Sequence, residues 1–196
     1  MQYDVWAVTP ATDDALFRTA ASIAASGTVP LLTYTVGNNG TGYKLVFTSS
    51  GDDSGITFTV VGNKVGDLPG NTTTETVTGA NASTASTTNF YTNIVSITAS
   101  GASAGTVKIG TTGSVALPRC RIKGLYYVAS GTAGTVKINT NSTTGYLLLQ
   151  INTPALATAV NSLYMAAEGI LTARSSTTDF AIVTLSNVTA LTLICG

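Results

Sequence analysis

Hydrophobic and polar positions alternate along much of the chain. Over residues 43–48, Tyr43, Leu45 and Phe47 share one face. Over residues 56–61, Ile56, Phe58 and Val60 share a face, with Thr57, Thr59 and Val61 opposite. A period of two, carried by β-branched and aromatic residues, marks a half-buried strand. Between these runs lies Ser49-Ser50-Gly51-Asp52-Asp53-Ser54-Gly55. Such residues bond to nearby backbone or accept positive φ, so the segment is expected to turn the chain back into a hairpin.

The same order of strand, polar turn and strand continues to the C-terminus. Residues 72–78 and 91–99 read as strands, the latter with Val95, Ile97 and Ala99 on one face. Further strands are expected at 119–129, 135–139, 146–152, 180–185 and 189–195, with a loop or short helix at 154–162. The hexapeptide Ala-Gly-Thr-Val-Lys-Ile occurs at 104–109 and again at 133–138, each time after an apolar strand. This echo predicts two equivalent hairpins, with Val107 and Val136 inward and Lys108 and Lys137 outward. Two copies suit two β domains better than a solenoid, which needs more repeats. Gly113 and Pro118 interrupt the pattern and place the boundary within 111–118. The expected organisation is an N-terminal arm at 1–14, a first domain at 15–114 and a second at 118–196. Frequent turn signals without a long helical pattern make the fold class all-β, with two β-sandwich-like domains.

Two stretches stay open. Residues 15–36 fit a helix capped by Thr12 or Asp13 and ended by Gly27, or a hairpin over 22–35 turning at Ser26-Gly27. Thr19, Ser22, Ile23 and Ser26 make a poor helix interior, which favours strands. Residues 1–14 hold the sole tryptophan, Trp6, beside Val5, Ala7 and Val8. They form either a first strand on the same chain or an arm that docks on a neighbour. Val5, Trp6 and Val8 are therefore the candidate partner interface, since large aromatics concentrate at interface centres.

Composition narrows the function. Charged residues are only 9 % of the chain, and nine basic residues balance nine acidic ones. No basic run follows a phosphate backbone, so nucleic acid is not an expected partner. No apolar run approaches the ~20 residues of a membrane helix, so no membrane partner is expected. A neutral surface does little to hold copies apart, so self-association is expected, as a trimer or as arrayed subunits. There is no histidine, which removes the commonest general base and metal ligand. Glu168 with Asp179 or Asp53 could pair as glycosidase carboxylates, but no spacing favours it. Asp52-Asp53-Ser54 offers oxygen ligands for calcium without the ligand spacing of a known loop, so turn capping is preferred. Tyr43, Tyr91, Tyr126, Tyr127, Tyr146 and Tyr164 could stack on sugars, but most lie in strands and suit packing better. No enzyme, cofactor or metal is expected.

The two cysteines, Cys120 and Cys195, are too few for a structural zinc site. The N-terminus lacks the basic and apolar segments of a signal peptide, so the chain is expected to assemble in the cytoplasm with both thiols reduced. They would meet only if the strands carrying them were neighbours. Sequons at Asn39, Asn71, Asn81, Asn141 and Asn187 match what so much Asn, Ser and Thr produces by chance.

Several motifs together carry a family resemblance. Residues 48–62, Thr-Glu-Thr-Val-Thr-Gly at 74–79, residues 90–97 and Ala-Gly-Thr-Val-Lys-Ile-Gly at 104–110 resemble a β module of small virion proteins of tailed bacteriophages. The second half is similar to another module of such proteins. It has Ser130-Gly131, the second Ala-Gly-Thr-Val, Gly145-Tyr146-Leu147-Leu148-Leu149, Glu168-Gly169-Ile170 and a closing strand pair around Asn187-Val188-Thr189. Ala166-Ala167 stands where that module usually has Pro-Gly, and residues 1–40 match neither module. The resemblance implies a structural virion protein without catalytic residues. On that implication it is a capsid decoration or cement protein, binding the major capsid protein and neighbouring subunits. The alternatives are a receptor-binding or adhesin-like module of a tail or fibre, or a neck or tail component.

Overall fold

A computed structural model describes residues 4–8, 15–36, 40–68, 70–141, 144–155, 160–164, 169–171 and 180–196. The described residues form strands and no helix. In chain order these are β1 (Asp4–Val8), β2 (Arg18–Ser22), β3 (Gly27–Thr28), β4 (Gly42–Ser49), β5 (Thr57–Lys64), β6 (Thr73–Thr78), β7 (Thr84–Ser86) and β8 (Tyr91–Ala99). Then follow β9 (Thr106–Leu117), β10 (Arg121–Ala129), β11 (Gly134–Thr140), β12 (Leu147–Thr153), β13 (Val160–Tyr164), β14 (Ile170–Leu171), β15 (Ala181–Ser186) and β16 (Val188–Cys195). The fold is all-β and β-sandwich-like. The chain divides into a unit Ala11–Thr112 and a unit made of Met1–Pro10 with Gly113–Gly196.

In the unit Ala11–Thr112, β5 lies between β6 and β8, and β3 adds to β8. β4 takes β7 on one side and neighbours β9, which also holds β2. The two sets meet at one ladder pair, Tyr43 with Tyr91. Leu45 and Phe47 of β4 and Phe58 and Val60 of β5 are buried as their alternation requires. Phe47 and Phe58 stack with ring centroids 4.7 Å apart. Apolar burial of this kind, at about 25 cal/mol per Å², is the main force holding the strands together.

Several local expectations are corrected. First, β4 and β5 are not a hairpin, because neither is the other's ladder neighbour. Their linker is fixed by distant backbone instead. Asp53 Oδ1 accepts from Ala104 N–H at 2.7 Å, and Ser50 Oγ accepts from Thr106 N–H at 2.8 Å. At Gly79 a Cβ would lie 2.3 Å from the Asp53 carbonyl oxygen, so only glycine lets these backbones meet.

Second, the repeated hexapeptide does not close hairpins. β8 and β9 are not ladder neighbours, and β10 and β11 belong to different sheets. The side-chain pattern nevertheless holds: Val107, Ile109, Val136 and Ile138 are buried, Lys137 is exposed and Lys108 is half-buried. Third, β2 and β3 do not pair with each other; they pair with β9 and β8 respectively. Fourth, Val95 is exposed and Ile94 is buried. The register jumps from Val61↔Ser96 to Gly62↔Ile94, so Val95 is the extra residue of a bulge, which resets the alternation. Gly113 does not interrupt its strand either, since β9 runs through it and stops before Pro118.

In the unit of Met1–Pro10 and Gly113–Gly196, one sheet has the order β1-β16-β10-β13, with β14 also on β10. The other has β12-β11-β15 followed by the end of β9. The core takes Val8, Ile122, Leu125, Tyr127, Leu191 and Leu193 from the first sheet. Val115, Leu117, Val136, Ile138 and Val183 come from the second. Asp4–Val8 is therefore not an arm. It is an edge strand, antiparallel to β16, with Val5 opposite Ile194, Trp6 opposite Leu193 and Val8 opposite Leu191.

Candidate functional site

The acidic residues serve the loops. Asp52 Oδ1 accepts from the Ser54 hydroxyl at 2.7 Å and from Ser54 N–H at 3.2 Å. These bonds, the hydroxyl first, hold the Asp52 carboxyl below the usual carboxylate range. Buried Asp53 ties its turn to the segment before β9. Glu75, on edge strand β6, accepts from Thr88 N–H, from both the backbone and side-chain N–H of Asn89, and from the Tyr91 hydroxyl at 3.3 Å. Burial, and then the Glu75 charge, raise the Tyr91 phenol far above its ordinary value. Among the described residues no three His, Cys, Asp or Glu side chains gather as a metal site. No described helix is long and apolar enough to cross a membrane. Glu168, Asp179, Asn39, Thr12 and Asp13 lie outside the described residues.

The tyrosines differ in exposure, and Tyr43 and Tyr91 are ladder partners. Tyr91 and Tyr127 are buried, Tyr43 is half-buried, and Tyr126 and Tyr146 are exposed. The buried ones pack, as expected for strand residues.

The surface with most to offer a partner is the outer face of the β1-β16-β10 sheet. Its members follow from register. Val5 lies opposite Ile194, and Ala7 opposite Thr192. Gly124 lies opposite Ile194, and Tyr126 opposite Thr192. Val5 is 63 % exposed and Tyr126 40 %. Ile122 pairs with Cys195 and Gly124 with Ile194, so Lys123 is taken up in a bulge between them. No charged residue occupies the outward register positions just named. Val5, Ala7, Tyr126, Thr192 and Ile194 bring no charge to this face, so a partner could cover them without stranding a buried charge, while Lys123 lies at the margin in the bulge.

The three residues expected as a partner interface are distributed by this register. Val5 points to solvent, while Val8 is fully buried in its own unit. Trp6 pairs through its backbone with Leu193. Sequence reasoning missed Ala7, Tyr126, Thr192 and Ile194 as companions of Val5. Their joining depends on pairing the first strand with the last, which no local pattern announces.

No family model, curated protein or solved structure matches the chain.

Proposed function

We propose that this protein is a structural component of a tailed-bacteriophage virion, a decoration or cement protein that binds the major capsid protein. The observation that carries the reading is the group of uncharged outward residues Val5, Ala7, Tyr126, Thr192 and Ile194, brought together on a hydrogen-bonded sheet. Supporting it, the acids of the unit Ala11–Thr112 described above tie loops together, and the sequence motifs resemble virion modules. A cement protein needs a rigid scaffold and a contact area on the order of 1,600 Å² rather than chemistry.

The test is the place and copy number of the chain in purified particles, read by cryo-electron microscopy and quantitative mass spectrometry. Copy numbers comparable to the major capsid protein, with density over the shell, are expected. A few copies on the tail or fibre would replace this reading with the receptor-binding one. In a pull-down on undecorated capsids, the pair Val5→Glu and Tyr126→Glu should abolish retention while leaving the melting temperature within a few degrees. Full retention by that variant would show that another face makes the contact.

A further inference from the structure

We infer that Cys120 and Cys195 form a reversible intramolecular disulfide that locks the last strand of the chain to the start of β10. The two sulfurs lie 2.9 Å apart although 75 positions separate the residues. Cys195 is on β16, only 2 % exposed, and Cys120 is half-buried just ahead of β10. The backbone around both is already tied. Ile122 is the ladder partner of Cys195, and Gly196 N–H donates to the Arg121 carbonyl at 3.0 Å. Closing from 2.9 Å to the roughly 2.0 Å of a disulfide is therefore a side-chain rotation and needs no strand movement.

The pair has no competing use as a metal site, since no third His, Cys, Asp or Glu joins it among the described residues. Its chemistry is thiol–disulfide exchange with a small-molecule disulfide such as oxidised glutathione. Cys120, the more accessible, attacks as a thiolate. A bond forms between Cys120 and one glutathione sulfur, and the other glutathione leaves as thiolate and takes up a proton. Cys195, deprotonated in turn, attacks the Cys120 sulfur and expels the second glutathione. Two protein thiols are oxidised, one glutathione disulfide is reduced to two thiols, and the proton count closes.

The position gives the bond a purpose. β16 lies between β1 and β10, so it holds the N-terminal strand to the rest of its sheet. A strand frays from its ends, and Cys195 is the last residue of β16. Linking it back to Cys120 pins that end and shortens the unfolded chain's reach. A reducing compartment leaves the clasp open, and an oxidising medium closes it.

The experiment uses the full chain incubated with excess oxidised glutathione, quenched with acid and alkylated in denaturant. The expected product is a monomer two hydrogens lighter, with no alkylated cysteine and a peptide linking Cys120 to Cys195. Its melting temperature should rise by roughly 5 °C or more over the reduced chain and return with dithiothreitol. The Cys120→Ser variant should melt near the reduced wild type and show no redox-dependent shift. Two alkylated thiols after oxidation would overturn the inference. So would a stable glutathione adduct on Cys120, or links between different chains.

Discussion

Val136 and Lys137 are neighbours in β11, yet one is buried and the other exposed. The difference is a matter of which face of a pleated strand each occupies, because successive Cβ atoms point to opposite sides. Substituting each with a carboxylate tests that placement directly. Val136→Asp puts an unpaired charge among Ile138, Val183 and their neighbours and should cost about 3 kcal/mol or more. Lys137→Glu changes a solvated charge and should stay within about 0.5 kcal/mol. Urea unfolding of the two variants reads the contrast, and equal losses would mean the register is shifted by one residue. Asp53 shows the other kind of residue-scale constraint. It is buried, and its Oδ1 accepts from a backbone N–H 51 positions away. Its own turn sequence gives no sign of that partner.

The strand β1 earns its place through long-range pairing alone. It is five residues long and, among the described residues, has only β16 beside it. A lone strand of this length has no stability in water, so its order comes from the ladder and from burying Val8. Deleting residues 1–10 removes both and bares the edge of β16. The expected result is a fall in melting temperature of several degrees or more for the unit containing β16, followed by circular dichroism or calorimetry. An unchanged melting temperature would restore the picture of a detachable arm. The linkers between β4 and β5, β8 and β9, and β10 and β11 belong to the same scale. Each was read as a hairpin turn because its residues favour turns. Turn chemistry specifies that the chain reverses; it does not specify whether the returning strand pairs in the same sheet or moves to another.

Across the whole molecule, the scarcity of charge leaves tyrosine burial as a visible source of pH dependence. Burial raises the Tyr91 and Tyr43 phenols above their ordinary value of 10.0, with Glu75 adding to the effect at Tyr91. The folded chain therefore keeps these protons at pH values where the unfolded chain has lost them. Their contribution to stability is complete below pH 10 and declines as pH rises above it. Unfolding midpoints measured from pH 8 to 11 should fall on the alkaline side. Tyr91→Phe should flatten that fall, since the phenylalanine has no proton to lose. A wild-type midpoint constant through pH 11 would contradict the burial of these hydroxyls.

The amino-acid sequence by itself determined the all-β class, most strand positions and most inward faces. These follow from a period of two that each segment carries alone, as in Leu45 and Phe47 or Phe58 and Val60. In the acidic turn the local contact of Asp52 with Ser54 was legible, because such residues bond to backbone close by, while the long-range bonds of Asp53 and Ser50 were not. Tertiary structure decided everything that depends on which strands become neighbours. The pairing of Asp4–Val8 with β16 joins opposite ends of the chain, and with it come the Val5 face and the meeting of Cys120 with Cys195. The bulge at Val95 likewise depends on the register of β8 against β5, and no alternation within β8 could reveal it. Ladder partners are chosen by the total burial the whole chain can reach, whereas alternation is fixed by local geometry. That is why faces were legible from the sequence and neighbours were not.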